Sequence, residues 1–574
     1  MSEAATRLTE ALSELRDALT TLAFPIAASR RDEGQDAAAD SIMQLDDYVI
    51  PRLHRIDAPL LAVVGGSTGS GKSTIVNSLM GEGVTRASAL RPTTRRPVLV
   101  HAPADAEWFE HGPVLPGLAR VTGSAGEPGS VTEVQLVSSR SLPQGLAILD
   151  SPDIDSVVAE NRMLAAELLG AADLWVFVTT AARYADAIPW ALLDQAAERN
   201  IVLAVVLNRV PNGAAGEVRP DLVRRLEEHG LGAAPLFVIA EQSKTGGLLP
   251  PADMSPLRGW LEGLSEDARA RESVARQTLA GALTALLERE DVVVGAYTQQ
   301  LEVCGHLSGA LNDAFAEASR SIAVSMRDGS LLRGEVLQRW QEMAGAGEFT
   351  RRIESGVSGI RDRIASFFTG RTATTVRSTR QAGEAIEDTL TSLLVSAATN
   401  AIHSTSAAWE ETTTGAGMAL AANGHVRGET ERREDAARVV REWQRGVVAL
   451  LEEEGEGKRV TARLLSLGVN ATGVALMILL FSQTAGLTGG EVAIAGGTAV
   501  VAQRLLETVF GDDAVRRLTR SARSRLMALA EEFLGRDRDP FEAEVERLNL
   551  SEGELTNVTE SFEAASIAAR KELI

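Results

Sequence analysis

The chain begins with leucines at Leu8, Leu12, Leu15, Leu19 and Leu22. Steps of four and three place them along one side of a helix, so residues 1–24 read as an amphipathic helix that Pro25 ends. A polar stretch follows from Arg30 to Asp40, and a second helix is expected over Ser41 to Leu53. At Pro59 the pattern changes. Apolar, largely β-branched runs at Leu60–Val64, Val98–His101, Val134–Val137, Leu146–Leu149, Leu174–Val178, Val202–Leu207 and Leu236–Ile239 read as buried strands. Helical runs lie between the later ones, at Ala159–Leu169, Pro189–Arg199 and Pro220–His229. This alternation predicts an α/β domain over residues 59–263, a mostly parallel sheet with helices on both faces.

From about Leu264 onward the pattern is helical, with Gly329, Gly345 and Gly370 as plausible turns. One segment differs. Leu464 to Gly490 holds no charged residue and centres on the run Gly473 to Phe481; Val492 to Ala502 resumes it after Glu491. The expected organisation is therefore N-terminal helices packing on the bundle (1–58), the α/β domain (59–263), an all-α bundle or stalk (264–463), an apolar helical hairpin (464–503) and helices returning to the bundle (504–574). A bilayer is crossed by about 20 apolar residues. Lys458, Arg459 and Arg463 precede the apolar segment, Arg504 follows it, and its connecting loop has no basic residue. That asymmetry keeps both ends cytoplasmic, with the hairpin dipping into or across the membrane. Gly486, Gly489, Gly490, Gly496 and Gly497 permit close approach of two helices. A helix pair buried within the bundle is the competing reading.

Composition narrows the classes. A chain of 574 residues exceeds one core. A net charge of −21 argues against broad contact with nucleic acid. Aromatic content of 4% suits Ala/Leu-rich helices better than β-sandwiches. With Cys304 as the single cysteine, no disulfide or thiolate metal framework exists within the chain, and a reduced cytoplasmic setting is expected. Cys304 reads as a small buried hydrophobe. His101, His111 and His403 show no metal spacing, and Trp108, Trp340 and Trp443 read as packing residues. Arg516, Arg517, Arg520, Arg523 and Arg525 are expected either to meet anionic headgroups or to form a solvated helix face.

The chemistry is concentrated after the first strand. Gly66, Ser67, Thr68, Gly69, Ser70, Gly71, Lys72 and Ser73 form a complete G-x-x-x-x-G-K-S loop between a strand and a helix that runs from Ser73 to Met80. Glycines let the backbone wrap an anion, and the new helix offers its positive end; Thr74 lies in its first turn. Lys72 is expected to reach the β- and γ-oxygens of a nucleotide, and Ser73 to contribute a hydroxyl to Mg²⁺. Thr94, in the loop Leu90 to Pro97, is the candidate switch hydroxyl that completes the Mg²⁺ shell when a γ-phosphate is present. Asp150, at the end of Leu146–Leu149, is the candidate acid that holds Mg²⁺ through water. Asn208 and Arg209 end a later strand where a base is contacted, and Ala240 to Gly246 follows the last strand as a weaker candidate for the same role.

With these parts in order, the chain resembles the translation-factor-related GTPases, and within them the bacterial dynamin-like branch. Thr94-Arg95-Arg96-Pro97 matches the T-R-R-P switch string of dynamins. It also resembles actinobacterial GTPases that carry R-P-T-T-x-R-P and L-D-x-P-D. The motif resemblance covers residues 59–263. It implies GTP as substrate, Mg²⁺ as cofactor, nucleotide-dependent self-association and membrane remodelling. Membrane lipids, a second dynamin-like protein and further copies of the chain are the implied partners, and the inner face of the cell membrane the implied location. Three positions depart from the family. Asp153 stands where a glycine N–H meets the γ-phosphate, and its carboxylate must turn away or bind a cation. Pro211 replaces the carboxylate that reads guanine. Thr68 and Gly69 replace a catalytic Gln and Ser, so no catalytic residue is assigned.

An Era-type GTPase acting in ribosome assembly uses the same nucleotide domain, but the chain has no KH-type signature. A weakly hydrolysing nucleotide-dependent scaffold is kept open by Asp153. Leu487-Thr488-Gly489-Gly490-Glu491 resembles the signature of ABC ATPases but follows both phosphate-binding motifs, in the wrong order for that family.

Overall fold

The computed structural model describes residues 3–85, 96–111, 114–115, 117–122, 130–155, 159–241, 247–327, 373–454 and 512–572. The proposed apolar hairpin, Thr94, Trp340, residues 242–246 and the three glycine turns all lie outside them. The chain divides into two compact units, one formed by Met1–Phe24, Ala28–Gln300 and Ser551–Ile574 and the other by Pro25–Ala27 and Leu301–Leu550.

The first unit is built on an eight-stranded sheet in the order β3-β4-β2-β5-β1-β6-β7-β8. The strands are β1 Leu60–Gly66, β2 Val98–His101, β3 Ala119–Thr122, β4 Glu133–Ser138, β5 Leu146–Asp150, β6 Leu174–Thr180, β7 Val202–Val210 and β8 Leu236–Ala240. All neighbours run parallel except β2 and β5, which are antiparallel. The sheet is therefore mostly parallel, as the alternation predicts. Edge strand β3 was not among the predicted strands: its residues Ala119-Arg120-Val121-Thr122 are half-buried or exposed, so they carry no buried-strand run.

Burial on both faces explains the apolar runs. Leu61 and Val63 enter one core with Trp175, Phe177, Val205 and Leu207. Leu60, Ala62 and Val64 enter the opposite core with Ile75, Leu79, Val176 and Leu257. Alternate residues of β1 thus serve different layers, the pleat's period of two.

The N-terminal helix covers Glu3–Thr21 and stops before the predicted end at Leu22–Phe24. Its buried stripe Leu8, Leu12, Leu15 and Leu19 packs along the helix Glu552–Glu572. The polar stretch from Arg30 is itself helical, so the second helix begins ahead of the expected Ser41. A helix runs over Arg31–Gln44 and continues through a π-helical turn, Leu45–Val49, to Ile50–His54. Its buried face is made of Gly34, Ala38 and Ser41, small residues that hydropathy does not register, with polar Gln44 at its end. A Cβ at Gly34 would lie 2.2 Å from that of Ala296, so a glycine is what lets the two helices touch.

The second unit is all-α among its described residues. It contains most of the helix Glu290–Ser325, with Ala373–Trp409, Thr413–Asn423, Glu429–Glu454 and Asp512–Glu546. Trp409 and Trp443 are fully buried and donate their ring N–H groups to the carbonyls of Leu307 and Ala522. Buried Asp537 accepts from both Arg427 and Arg432. Of the clustered arginines, half-buried Arg523 donates to the Ala323 carbonyl, and exposed Arg525 lies over Gly446. Cys304 is half-buried, not buried as its type suggested. Among the described residues no helix is long and apolar enough to cross a membrane.

One buried cluster ties the N-terminal helices to the root of β1. Asp173, just before β6, accepts from the Leu61 N–H at 2.8 Å and from the Tyr48 hydroxyl at 3.2 Å. It also pairs with Arg52 at 3.1 Å, both side chains being buried. Asp173→Ala leaves that guanidinium buried and unpaired, and is expected to cost about 3–5 kcal/mol in urea unfolding.

Candidate functional site

Strands β5, β1, β6, β7 and β8 run the same way and bring their carboxyl ends to one edge, where open α/β sheets bind ligands. Register aligns the site's parts there. Val64 lies opposite Asp150, Gly66 opposite Val178, and Thr180 opposite Asn208. β1 is central, so the loop that follows it is flanked by the ends of β5 and β6.

That loop turns on glycines. Gly66, Gly69 and Gly71 have φ of 150°, 77° and 99°. A Cβ at Gly66 would sit 2.0 Å from the Val178 carbonyl oxygen, and one at Gly71 2.5 Å from Asn208 Nδ2. The second contact is functional in shape. Asn208 Nδ2 donates to the Ser70 carbonyl at 2.7 Å, bracing the loop from the end of β7. The helix Lys72–Met80 starts at once, with Gly71 as its N-cap, half-buried Ser73 and buried Thr74 in its first turn. The Ser67 and Ser70 hydroxyls are buried and have no hydrogen-bond partner. Two orphaned hydroxyls in a glycine-turned loop at a helix N-terminus suit a polyphosphate that supplies acceptor oxygens.

Lys72 is already engaged. Its Nζ donates to the carbonyls of Gly66 at 2.8 Å and Ser67 at 3.3 Å, and to Asp153 Oδ1 at 2.5 Å. Asp153 thus does what its position demands: it binds a cation, and the cation is the loop's own lysine.

Asp150 is fully buried at the end of β5. Its Oδ2 accepts from the Thr85 hydroxyl at 2.6 Å, while Oδ1 has no hydrogen-bond partner. Burial pushes its carboxyl above the ordinary aspartate value, against weaker opposition from Thr85, Ser73 and Lys72. A buried carboxylate with a free oxygen beside a serine hydroxyl suits a divalent cation. Ser73 and Asp150 would hold Mg²⁺ here, with water and phosphate oxygens completing its shell. Among the described residues no group of three or more His, Cys, Asp or Glu forms a metal site on its own.

Three residues that sequence reading did not single out belong to this site. Asp155 accepts from the Thr68 N–H at 2.6 Å and hydroxyl at 2.9 Å. Arg183, in the turn after β6, pairs with Asp155 at 2.6 Å and donates to the Thr68 carbonyl at 3.1 Å. Burial alone would raise the Asp155 carboxyl, but the hydrogen bonds from Thr68 and Arg183 outweigh it and hold it below the ordinary value. Thr85 is the third, as the donor to Asp150. The spacing Asp150, Asp153, Asp155 is a visible signal for Asp155; an arginine five residues from the last bulky strand residue, Val178, is not one for Arg183.

The base-contact candidates are less gathered. Asn208 is buried against the loop, whereas Arg209 and Pro211 are exposed. Arg209 has a left-handed backbone, φ 54°, and its N–H donates to Asn208 Oδ1 at 2.9 Å.

Gly66→Ala is expected to destabilise the first unit by more than about 3 kcal/mol, from overpacking against a strand carbonyl and from backbone strain. Gly81, at φ 75° with open space around its Cβ position, is the comparison. Gly81→Ala meets only the left-handed penalty of about 1 kcal/mol. Urea midpoints of the two variants measure the difference.

No family model matches the chain. Over 147 residues, 25% of its length, it is 26% identical to a probable transmembrane GTPase FZO-like, chloroplastic, of Arabidopsis thaliana, and the match spans 14% of that protein. Among solved structures it is similar to a chain of an oligomerised bacterial dynamin pair described for long-range sensing and tethering of membranes. There the identity is 10%, the coverage 98% of this chain and 95% of that one, and the TM-score 0.41. It is also similar to LeoA, a bacterial dynamin GTPase from ETEC, with 12% identity, coverage of 98% and 97%, and a TM-score of 0.22. Toc33 from Arabidopsis thaliana, in complex with Mg²⁺ and GMPPNP, matches 45% of this chain and 95% of its own at 16% identity and a TM-score of 0.23.

Proposed function

We propose that this protein is a Mg²⁺-dependent GTPase of the dynamin-like kind. The observation that carries the reading is the loop from Gly66 to Ser73, with its two orphaned buried hydroxyls, its lysine, and Asp150 beside Ser73. The partial sequence likeness to an FZO-like GTPase points the same way. Backbone N–H groups, Lys72 and the helix terminus bind the phosphates, and Asn208 keeps the loop in shape. Mg²⁺, when bound, supplies charge neutralisation at the β- and γ-oxygens. Ser73 and Asp150 hold it, and Thr94 joins them when a triphosphate is present. Pro211 cannot pair with guanine N–H groups, so discrimination between GTP and ATP is weak.

Nucleotide binding drives self-association through the α/β domain, and the helical arm, residues 264–463, transmits the change to the apolar segment 464–503. That segment contacts the inner face of the cell membrane, its flanking basic residues staying on the cytoplasmic side. A second dynamin-like protein is a further partner of the same kind.

A second reading is favoured by the Lys72–Asp153 pair: a nucleotide-dependent scaffold that hydrolyses slowly. Single-turnover assays with GTP and with ATP in the presence of Mg²⁺ decide between them. GTP hydrolysis is expected, with ATP turned over within about tenfold of it, and Lys72→Ala is expected to abolish binding of both. Binding without turnover leaves the scaffold; absence of binding removes both readings. For the membrane, sedimentation with anionic liposomes is expected to carry down the full chain and not a chain lacking residues 464–502. Equal sedimentation of the two ends the membrane assignment.

A further inference from the structure

Lys72 has three protons, and all three are committed: to Gly66 O, Ser67 O and Asp153 Oδ1. The shortest of these contacts, 2.5 Å, is the ion pair, and it lies in a site where the lysine side chain is 6% exposed and the aspartate 28%. A charge-assisted bond in such surroundings is strong, because little water competes for either partner. The pair is also anchored at both sides. Asp150, three residues before Asp153, is fixed by Thr85, and Asp155, two residues after it, is fixed to Thr68 and Arg183. The carboxylate of Asp153 is therefore presented to the lysine by a segment pinned at either end, and does not reach it from a free loop.

A phosphate-loop lysine is used by the β-phosphate and, in a triphosphate, by the γ-phosphate as well. A diphosphate makes the smaller demand and brings less negative charge to a place that already holds Asp150 and Asp153. We propose that Asp153 sets the discrimination between nucleoside di- and triphosphates at this site. Its carboxylate stands in for the terminal phosphate on Lys72, remains there when a diphosphate binds, and must be expelled by a triphosphate. The inference rests on the nucleotide-binding reading above and goes beyond it. It names the residue that decides which phosphorylation state the resting site favours, and it makes occupancy by a triphosphate inseparable from movement of the segment that carries Asp153.

The test is equilibrium binding of GDP and of a non-hydrolysable GTP analogue, with Mg²⁺, to the full chain and to Asp153→Asn and Asp153→Gly. The first variant keeps shape and loses charge; the second removes the side chain, and guards against misfolding of the first. The wild type is expected to bind GDP at least as tightly as the analogue. Both variants are expected to bind the analogue about tenfold more tightly while their affinity for GDP changes less than about threefold. Glu228→Gln, an exposed charge on the helix Ala215–Glu228, is expected to move neither. Equal changes for both nucleotides, weaker binding of the analogue, or a wild type that prefers the analogue by more than tenfold overturns the proposal. A wild type that binds neither nucleotide overturns the nucleotide reading itself, so the two failures are distinct.

Discussion

A buried ammonium must be met by acceptors, and the α/β unit is arranged so that Lys72 is. Removed from water, its charge would cost several kcal/mol unless neutralised and hydrogen-bonded. Two loop carbonyls and Asp153 provide for it. Each depends on the sheet. The carbonyls point inward because Gly66 takes a backbone conformation closed to other residues. Asp153 arrives because β5 pairs directly with β1, and the loop stays curled because Asn208 at the end of β7 holds Ser70. Position in the sheet and charge balance are one constraint seen at two scales.

The central part of this arrangement was legible in the sequence. A G-x-x-x-x-G-K-S string between a β-branched run and a helix leaves few alternatives, since glycine positions and strand burial are both written in single residues. Asp150 and Asn208 were legible for the same reason: each ends an apolar run, and parallel strands deliver such ends to one edge. Less legible were features that depend on who the neighbour is. The helix over Arg31–Gln44 shows the difficulty. Its buried face is small or polar, Gly34, Ala38, Ser41 and Gln44, so no apolar stripe marks it as a helix. Strand β3 is an edge strand with little burial, and leaves correspondingly little trace.

The partners of Thr68 illustrate a different limit. Asp155 and Arg183 are separated by the helix Ala159–Gly170 and strand β6, and nothing local tells that they meet. Only the sheet order, with β5 and β6 on either side of β1, makes the meeting necessary. Long-range ion pairs of this kind are consequences of topology, and a sequence reveals them only as far as it reveals strand order.

Three carboxylates within six residues take three different roles because their surroundings differ. Asp150 is buried with one oxygen unbonded, and burial disfavours its charge. Asp155 is surrounded by donors that favour its charge. Asp153 lies between them and is satisfied by a single ammonium. Among the described residues, the cations paired with these carboxyl groups are Lys72 and Arg183, the latter shared with Asp186. An anionic ligand entering this cluster raises an imbalance that already exists, so it cannot simply add to the arrangement described here. Either a divalent cation comes with it or one of the carboxylates withdraws. Asp155 has Thr68 and Arg183 to hold it, and Asp150 is enclosed by the sheet. Among the described residues, the Asp153 carboxylate is partnered by Lys72 alone, the group the ligand itself requires.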